Sequence, residues 1–172
     1  RSNEMSDRSI NVLPLEIDAL QGLYHYTESG LNNYWLSPSL YEEGEFNGQK
    51  TIAFLKLDEM QTAIGLHICF LGRRLGPLEI RFLRGELDYS QRELGEALGF
   101  ADKQCIAKAE RQNDKHEALS ATADLLLRNL YLRHLGDGAH LIEDNYRQEA
   151  LKLAQDLRKP YLAENHNWKL AA

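Results

Sequence analysis

Cysteine is scarce: Cys69 and Cys105 are the only two in 172 residues. That is too few for a disulfide framework, and neither belongs to a Cys-x-x-Cys pair at zinc-ligand spacing. Both stand in apolar, helix-patterned surroundings, which reads as buried, reduced thiols. Long apolar runs are missing as well. The longest, Ile64 to Leu71, falls far short of the roughly 18 to 20 residues that span a bilayer, and no signal-peptide apolar region precedes a small-residue cleavage site. The expectation is a cytoplasmic chain with no membrane partner. Its polar opening, Arg1 to Ile10, starts without Met and leaves Met5 as a candidate native start. No internal repeat or low-complexity tract is present.

Chemistry-bearing constellations are equally thin. His67 and Cys69 make an isolated His-x-Cys in an apolar helix with no second pair at ligand spacing, so core packing is the favoured reading and no metal is expected. His116, His134 and His140 are scattered, and Gly72-Arg73-Arg74-Leu75-Gly76-Pro77 lacks the Gly-Lys-Ser/Thr ending of a phosphate loop. Nothing assembles a catalytic group or a cofactor motif, so the expectation is a chain that is not an enzyme. An excess of positive charge is also lacking: 20 Lys and Arg against 26 Asp and Glu give a net charge of −6. Generic nucleic-acid affinity rests on neutralising phosphates, and this balance argues against it. Distribution softens the point, because residues 73–115 carry nine Lys and Arg against eight Asp and Glu.

What is present is a hydrophobic content of 43%, enough for a packed core, and a clear change of pattern along the chain. Between Leu23 and Leu57 short β-type segments alternate with turn clusters. The segments are Leu23 to Tyr26, Tyr34 to Leu36, Leu40-Tyr41 and Thr51 to Leu57; the turns are Ser29-Gly30, Asn32-Asn33, Ser37-Pro38 and Asn47-Gly48. A small antiparallel sheet is expected. Asp58 then caps a helix to about Leu71, with Met60, Ile64, Ile68 and Leu71 inward, and a second helix is expected over Leu78 to Leu87 with Ile80, Leu83 and Leu87 inward.

Leu87 to Arg111 is the richest stretch. Ser90 with Glu93 three residues on is a capping box opening a helix whose Leu94, Ala97 and Leu98 share a face; Gly99 ends it and Phe100 follows as a buried anchor. Asp102 caps a second helix, Lys103 to about Glu110, with Ile106 and Ala109 inward. Lys103, Gln104, Lys108 and Arg111 fall on the opposite stripe with Ala107 between them, a polar surface suited to a major groove. After the loop Gln112 to Glu117, a helix over Ala118 to Leu135 is apolar beyond one face. Leu119, Ala123, Leu126, Leu127 and Leu130 fill the core, which leaves Leu125, Leu132 and Leu135 as a second stripe that a homodimer would bury. A last helix, Ala139 to Leu157, with Ile142, Tyr146, Ala150, Leu153 and Leu157 in step, stops before Pro160, and Trp168 in the tail is expected to dock.

The run Arg81 to Arg111, R-F-L-R-G-E-L-D-Y-S-Q-R-E-L-G-E-A-L-G-F-A-D-K-Q-C-I-A-K-A-E-R, resembles the lambda-repressor/Cro-type (XRE) helix-turn-helix family. Tyr24 to Leu36, Y-H-Y-T-E-S-G-L-N-N-Y-W-L, is similar to the region ahead of that motif in relatives of MqsA-type antitoxins, whose zinc-binding Cys-x-x-Cys pairs are absent. The resemblance implies a repressor that binds a palindromic DNA operator as a dimer. It puts a phosphate contact on Gln91 and base-edge contacts on Lys103, Gln104 and Lys108, while the amides at the Ser90 end offer a further phosphate contact. Three positions depart from the family's usual pattern: Ala109 replaces a large residue, Gly95 replaces Ala, and the loop after Arg111 lacks the common Gly and Pro.

The expected architecture is α+β, mainly α. A helix-turn-helix DNA-binding domain of about five helices is expected, preceded by a small antiparallel β-sheet and followed by a C-terminal helix: residues 1–22 form a flexible segment, 23–72 a small β-sheet plus helix, 73–135 the helix-turn-helix DNA-binding domain, and 136–172 a C-terminal helix and tail. A second functional reading comes from the aromatic front (Tyr24, Tyr26, Tyr34, Trp35, Tyr41) and from the material after Leu135, neither of which is needed to read DNA. On that reading the chain is an antitoxin that binds a protein toxin and regulates its own operon.

Overall fold

The computed structural model describes residues 10–14, 22–102, 104–111, 118–136 and 161–165. The expectations for Lys103, the loop 112–117, the helix 139–157 and Trp168 lie outside the described residues. Among the described residues the fold is α+β, with five α-helices and a small sheet. Six strands are described: β1 (Ile10–Pro14), β2 (Tyr24–His25), β3 (Tyr34–Leu36), β4 (Tyr41–Phe46), β5 (Gln49–Phe54) and β6 (Tyr161–Asn165). The helices are α1 (Leu57–Cys69), α2 (Pro77–Glu86), α3 (Gln91–Ala97), α4 (Cys105–Arg111) and α5 (Ala121–Leu135).

The sheet differs from the expected antiparallel one. Its order is β1-β6-β3-β2, with β6 antiparallel to β1 and parallel to β3. A strand thus lies inside the stretch 1–22 expected to be flexible, and another inside the expected C-terminal tail; both join the segment 23–72. Local pattern reveals strands but not which distant strand fills the gap between two others. The period of two survives: Tyr34, Leu36, Tyr161 and Ala163 are buried, whereas Trp35 and Leu162 are half-buried. Strands β4 and β5 form a separate hairpin whose tip, Asn47-Gly48, takes positive φ at both residues (52° and 77°), as a tight two-residue turn between right-twisted strands requires.

Helix α1 packs against β1 and β6, with His67 against Tyr34 and Tyr161, and its Met60, Ile64 and Ile68 are fully buried. Lys56, not Asp58, is its N-cap, and Asp58 and Glu59 sit in the first turn, where the helix dipole favours negative charge. Pro77 opens α2 one residue earlier than expected, its missing N–H being one that no helix satisfies. In α3 the Ser90 Oγ accepts the Glu93 N–H at 3.1 Å and the Glu93 carboxylate accepts the Ser90 N–H at 2.7 Å, the reciprocal cap expected of this spacing. Gly99, at φ 77°, ends α3: its N–H and that of Phe100 return to the carbonyls of Glu96 and Gly95.

Two packing expectations need correction. Ala97 is exposed, and Phe100 is half-buried. On α5, which begins after the Ser120 cap instead of at Ala118, the buried residues are Ala123, Asp124, Leu127 and Tyr131. Leu126 is exposed and Leu130 half-buried, while Leu132 and Leu135 pack partly against the core instead of lining an exposed stripe. Leu125 alone of the three expected interface residues stands out, at 61% exposure, next to Leu126. A helix this apolar presents two equally plausible inward faces; Tyr131, docked on Gly65 of α1, chooses between them.

Candidate nucleic-acid interface

The α3–α4 pair is held by a buried carboxylate. Glu110, its side chain 1% exposed, accepts Arg84 Nε at 2.6 Å and Arg84 Nη2 at 3.1 Å from α2, and Gln91 Nε2 at 2.7 Å from the first residue of α3. Arg84 Nη1 also donates to the Tyr89 carbonyl at 2.8 Å, and Arg81 approaches the same carboxylate at 3.7 Å while remaining 53% exposed. A forked guanidinium and an amide meeting one carboxylate fix three helices relative to one another. Beneath this knot Leu83, Leu87, Leu94, Ile106 and Ala109 exclude water.

Glu110 was not among the residues that sequence patterning singled out, because an acid next to a helix end reads as solvent-facing. Its place one residue after Ala109 and four after Ile106, on the inward side of α4, is the signal that identifies it. Two further buried pairs escape pattern reading for the same reason. Arg73 meets Glu79 at 2.6 Å, and Arg128 meets Asp124 at 2.7 Å while donating to the carbonyls of Leu71 and Arg73. Together they clamp the connection between α1 and α2, so the Gly72 to Pro77 stretch is a structural joint.

Gln104, Lys108 and Arg111 are exposed on α4 and its lead-in turn, spaced to share one face, with Ala107 half-buried among them. Asp102 organises this face: its carboxylate accepts the Gln104 N–H at 2.9 Å and Lys108 Nζ at 3.2 Å, and these contacts, the backbone one first, hold its carboxyl below the usual carboxylate range. Arg111 Nε donates to the Ala107 carbonyl at 3.0 Å. Ser90 Oγ accepts the Glu93 N–H and the Ser90 N–H donates to the Glu93 carboxylate, which lowers the Glu93 carboxyl, and Gln91 gives one amide proton to Glu110. The structure therefore separates the expected site. Gln104, Lys108 and Arg111 face outward together, whereas Ser90 and Gln91 serve helix capping and helix joining.

His67 and Cys69 lie in the core. His67 Nδ1 is 2.8 Å from the Tyr34 hydroxyl and its ring meets the Tyr161 ring edge-on at 4.4 Å; burial, reinforced by Arg73, pushes its pKa down to about 3. Burial also pushes the Cys69 thiol up to about 12, against the opposing influence of Arg128, so it is held as the un-ionised thiol. No group of three or more His, Cys, Asp and Glu able to hold a metal ion occurs among the described residues, and none of the described helices is long and apolar enough to cross a membrane. Comparison with known proteins gives no match: no family model, no curated protein and no solved structure is similar to this chain.

Proposed function

We propose that this protein is a sequence-specific DNA-binding regulator, a repressor that uses α3 and α4 as a helix-turn-helix and lays α4 in the major groove. One observation carries the reading: the Glu110 knot fixes α4 against α2 and α3 while Gln104, Lys108 and Arg111 remain exposed on its outer side. Glutamine supplies the donor and acceptor that match an adenine edge, and lysine donates to guanine, each worth about 1 to 3 kcal/mol of discrimination. Lys108 is free to change partner at little cost, because an exposed pair such as Lys108–Asp102 is screened by solvent. Arg81, on the α2 side of the same knot, is a further cation for phosphate.

A net charge of −6 leaves little non-specific affinity to draw on, so two copies reading two half-sites are required. Leu125 and Leu126, adjacent and exposed on α5, are the apolar contact proposed to pair the copies; Leu132 and Leu135 support that helix from its half-buried side. Titration of duplexes selected from a random pool, with Gln104→Ala and Lys108→Ala compared with the parent, tests the face. Loss of affinity together with relaxed preference at defined base positions supports it, and unchanged affinity and preference in both variants rejects it.

A further inference from the structure

The β4–β5 hairpin stands away from the body of the fold. Its base is fixed: Tyr41 and Phe54 pack their rings against Tyr24 at 5.3 and 5.7 Å, Phe54 meets Tyr26 edge-on at 5.2 Å, and the Leu55 N–H donates to the Leu40 carbonyl at 2.8 Å. Beyond that base the two strands touch mainly each other. Register puts Phe46 opposite Gln49, Gly44 opposite Thr51 and Glu42 opposite Ala53, so these six share one face, and all six are exposed. Gly44 leaves that face low in the middle, and Phe46 rises at the tip, 70% exposed, the most exposed large hydrophobic residue among those described. A two-stranded hairpin is marginal by itself in water, and an exposed aromatic tip on it is apolar surface that a bound partner would cover.

We infer that this arm is a docking element for a second, basic protein, which takes Phe46 into an apolar pocket and sets cations against Glu42, Glu43 and Glu45. Charge selects this occupant. Three glutamates against the single Lys50 repel a nucleic-acid backbone. A second copy is disfavoured twice: the chain carries −6 overall, and edge-to-edge pairing of β4 with β4 brings like charges together, the usual device that keeps sheet edges apart. Glu42 shares the Phe46 face and Glu43 and Glu45 lie on the opposite one, so a partner that takes the aromatic tip and embraces the strand meets carboxylates on both sides. The inference does not depend on the DNA-binding reading, since the arm shares no residue with the α4 face.

The test places a photo-crosslinking benzoylphenylalanine at position 46 of the full chain in its native cells, identifies the adduct by mass spectrometry, and titrates the purified pair by calorimetry. The expected result is one adduct with a different, basic protein. Its affinity should fall at least about tenfold with Phe46→Ser and about tenfold with Glu42→Lys plus Glu45→Lys, and should not change with Gln104→Ala or Lys108→Ala. Thermal unfolding of the arm variants should match the parent, because their side chains are exposed. An adduct of twice the chain mass, an adduct with nucleic acid, a purely intrachain adduct, no adduct, or an affinity indifferent to Phe46 overturns the inference.

Discussion

Gly65 of α1 lies directly beneath the Tyr131 ring of α5, so closely that a methyl group at position 65 would overlap the ring and its hydroxyl. This contact sets the approach of the two helices and brings α5 over the end of α1, where Arg128 reaches the Cys69 and Leu71 carbonyls at 3.3 and 2.6 Å. Gly65→Ala, although it favours helix locally, should destabilise by about 1 to 3 kcal/mol through overpacking. Urea unfolding checks it; a midpoint equal to or above that of the parent would contradict the contact.

Gly95 predicts the opposite sign. A Cβ there would sit 3.7 Å from Ile106 Cγ1, an ordinary contact, and the residue lies inside α3. Gly95→Ala should therefore raise stability by about 0.5 to 1 kcal/mol, since the unfolded chain loses freedom and no atom must move. A raised urea midpoint at unchanged slope is expected.

Removing Glu110 tests the joint between the helices. Glu110→Ala leaves Arg84, with its side chain 19% exposed, without its carboxylate, together with the Gln91 amide proton. Breaking one side of a buried pair costs about 3 to 5 kcal/mol, whereas Arg92→Ala, which removes only the exposed Arg92–Glu96 pair, should leave the urea midpoint close to that of the parent. Equal effects of the two variants would show that the Glu110 knot does not join the helices.

His67 gives a pH dependence of defined sign. Its folded pKa, about 3, lies below the unfolded value near 6.5, so between those values the unfolded chain binds a proton that the folded one refuses. Stability is fully present above about pH 6.5 and falls as the pH drops, by up to about 1.4 kcal/mol per unit from this residue alone. His67→Gln should flatten that part of the profile between pH 6 and about 4 relative to the parent, measured by urea midpoints at each pH. A parallel profile would place the dependence elsewhere.

Much of the helical half is readable in the sequence because its signals are local: the Ser90–Glu93 box, the Gly99 stop and the inward set Ile80, Leu83, Leu94, Ile106 and Ala109 all lie where spacing puts them. The rest depends on partners distant in the chain. Nothing near Tyr161 indicates that it fills the gap between β1 and β3, and nothing near Glu110 indicates that Arg84, 26 residues away, removes it from water. For the candidate site, exposure of Gln104, Lys108 and Arg111 follows from helical period. The Ser90 cap is already in the local spacing, whereas the tie of Gln91 to Glu110 follows only from a tertiary contact.

Selection from a random duplex pool with the purified full chain, followed by anisotropy titration at fixed salt, addresses the central claim most directly. The account predicts enrichment of an inverted-repeat sequence with half-sites about one helical turn apart, and a loss of about tenfold or more in affinity for that sequence with Lys108→Ala or Gln104→Ala. Failure to enrich any sequence, or an enriched site bound equally well by both variants, would contradict it.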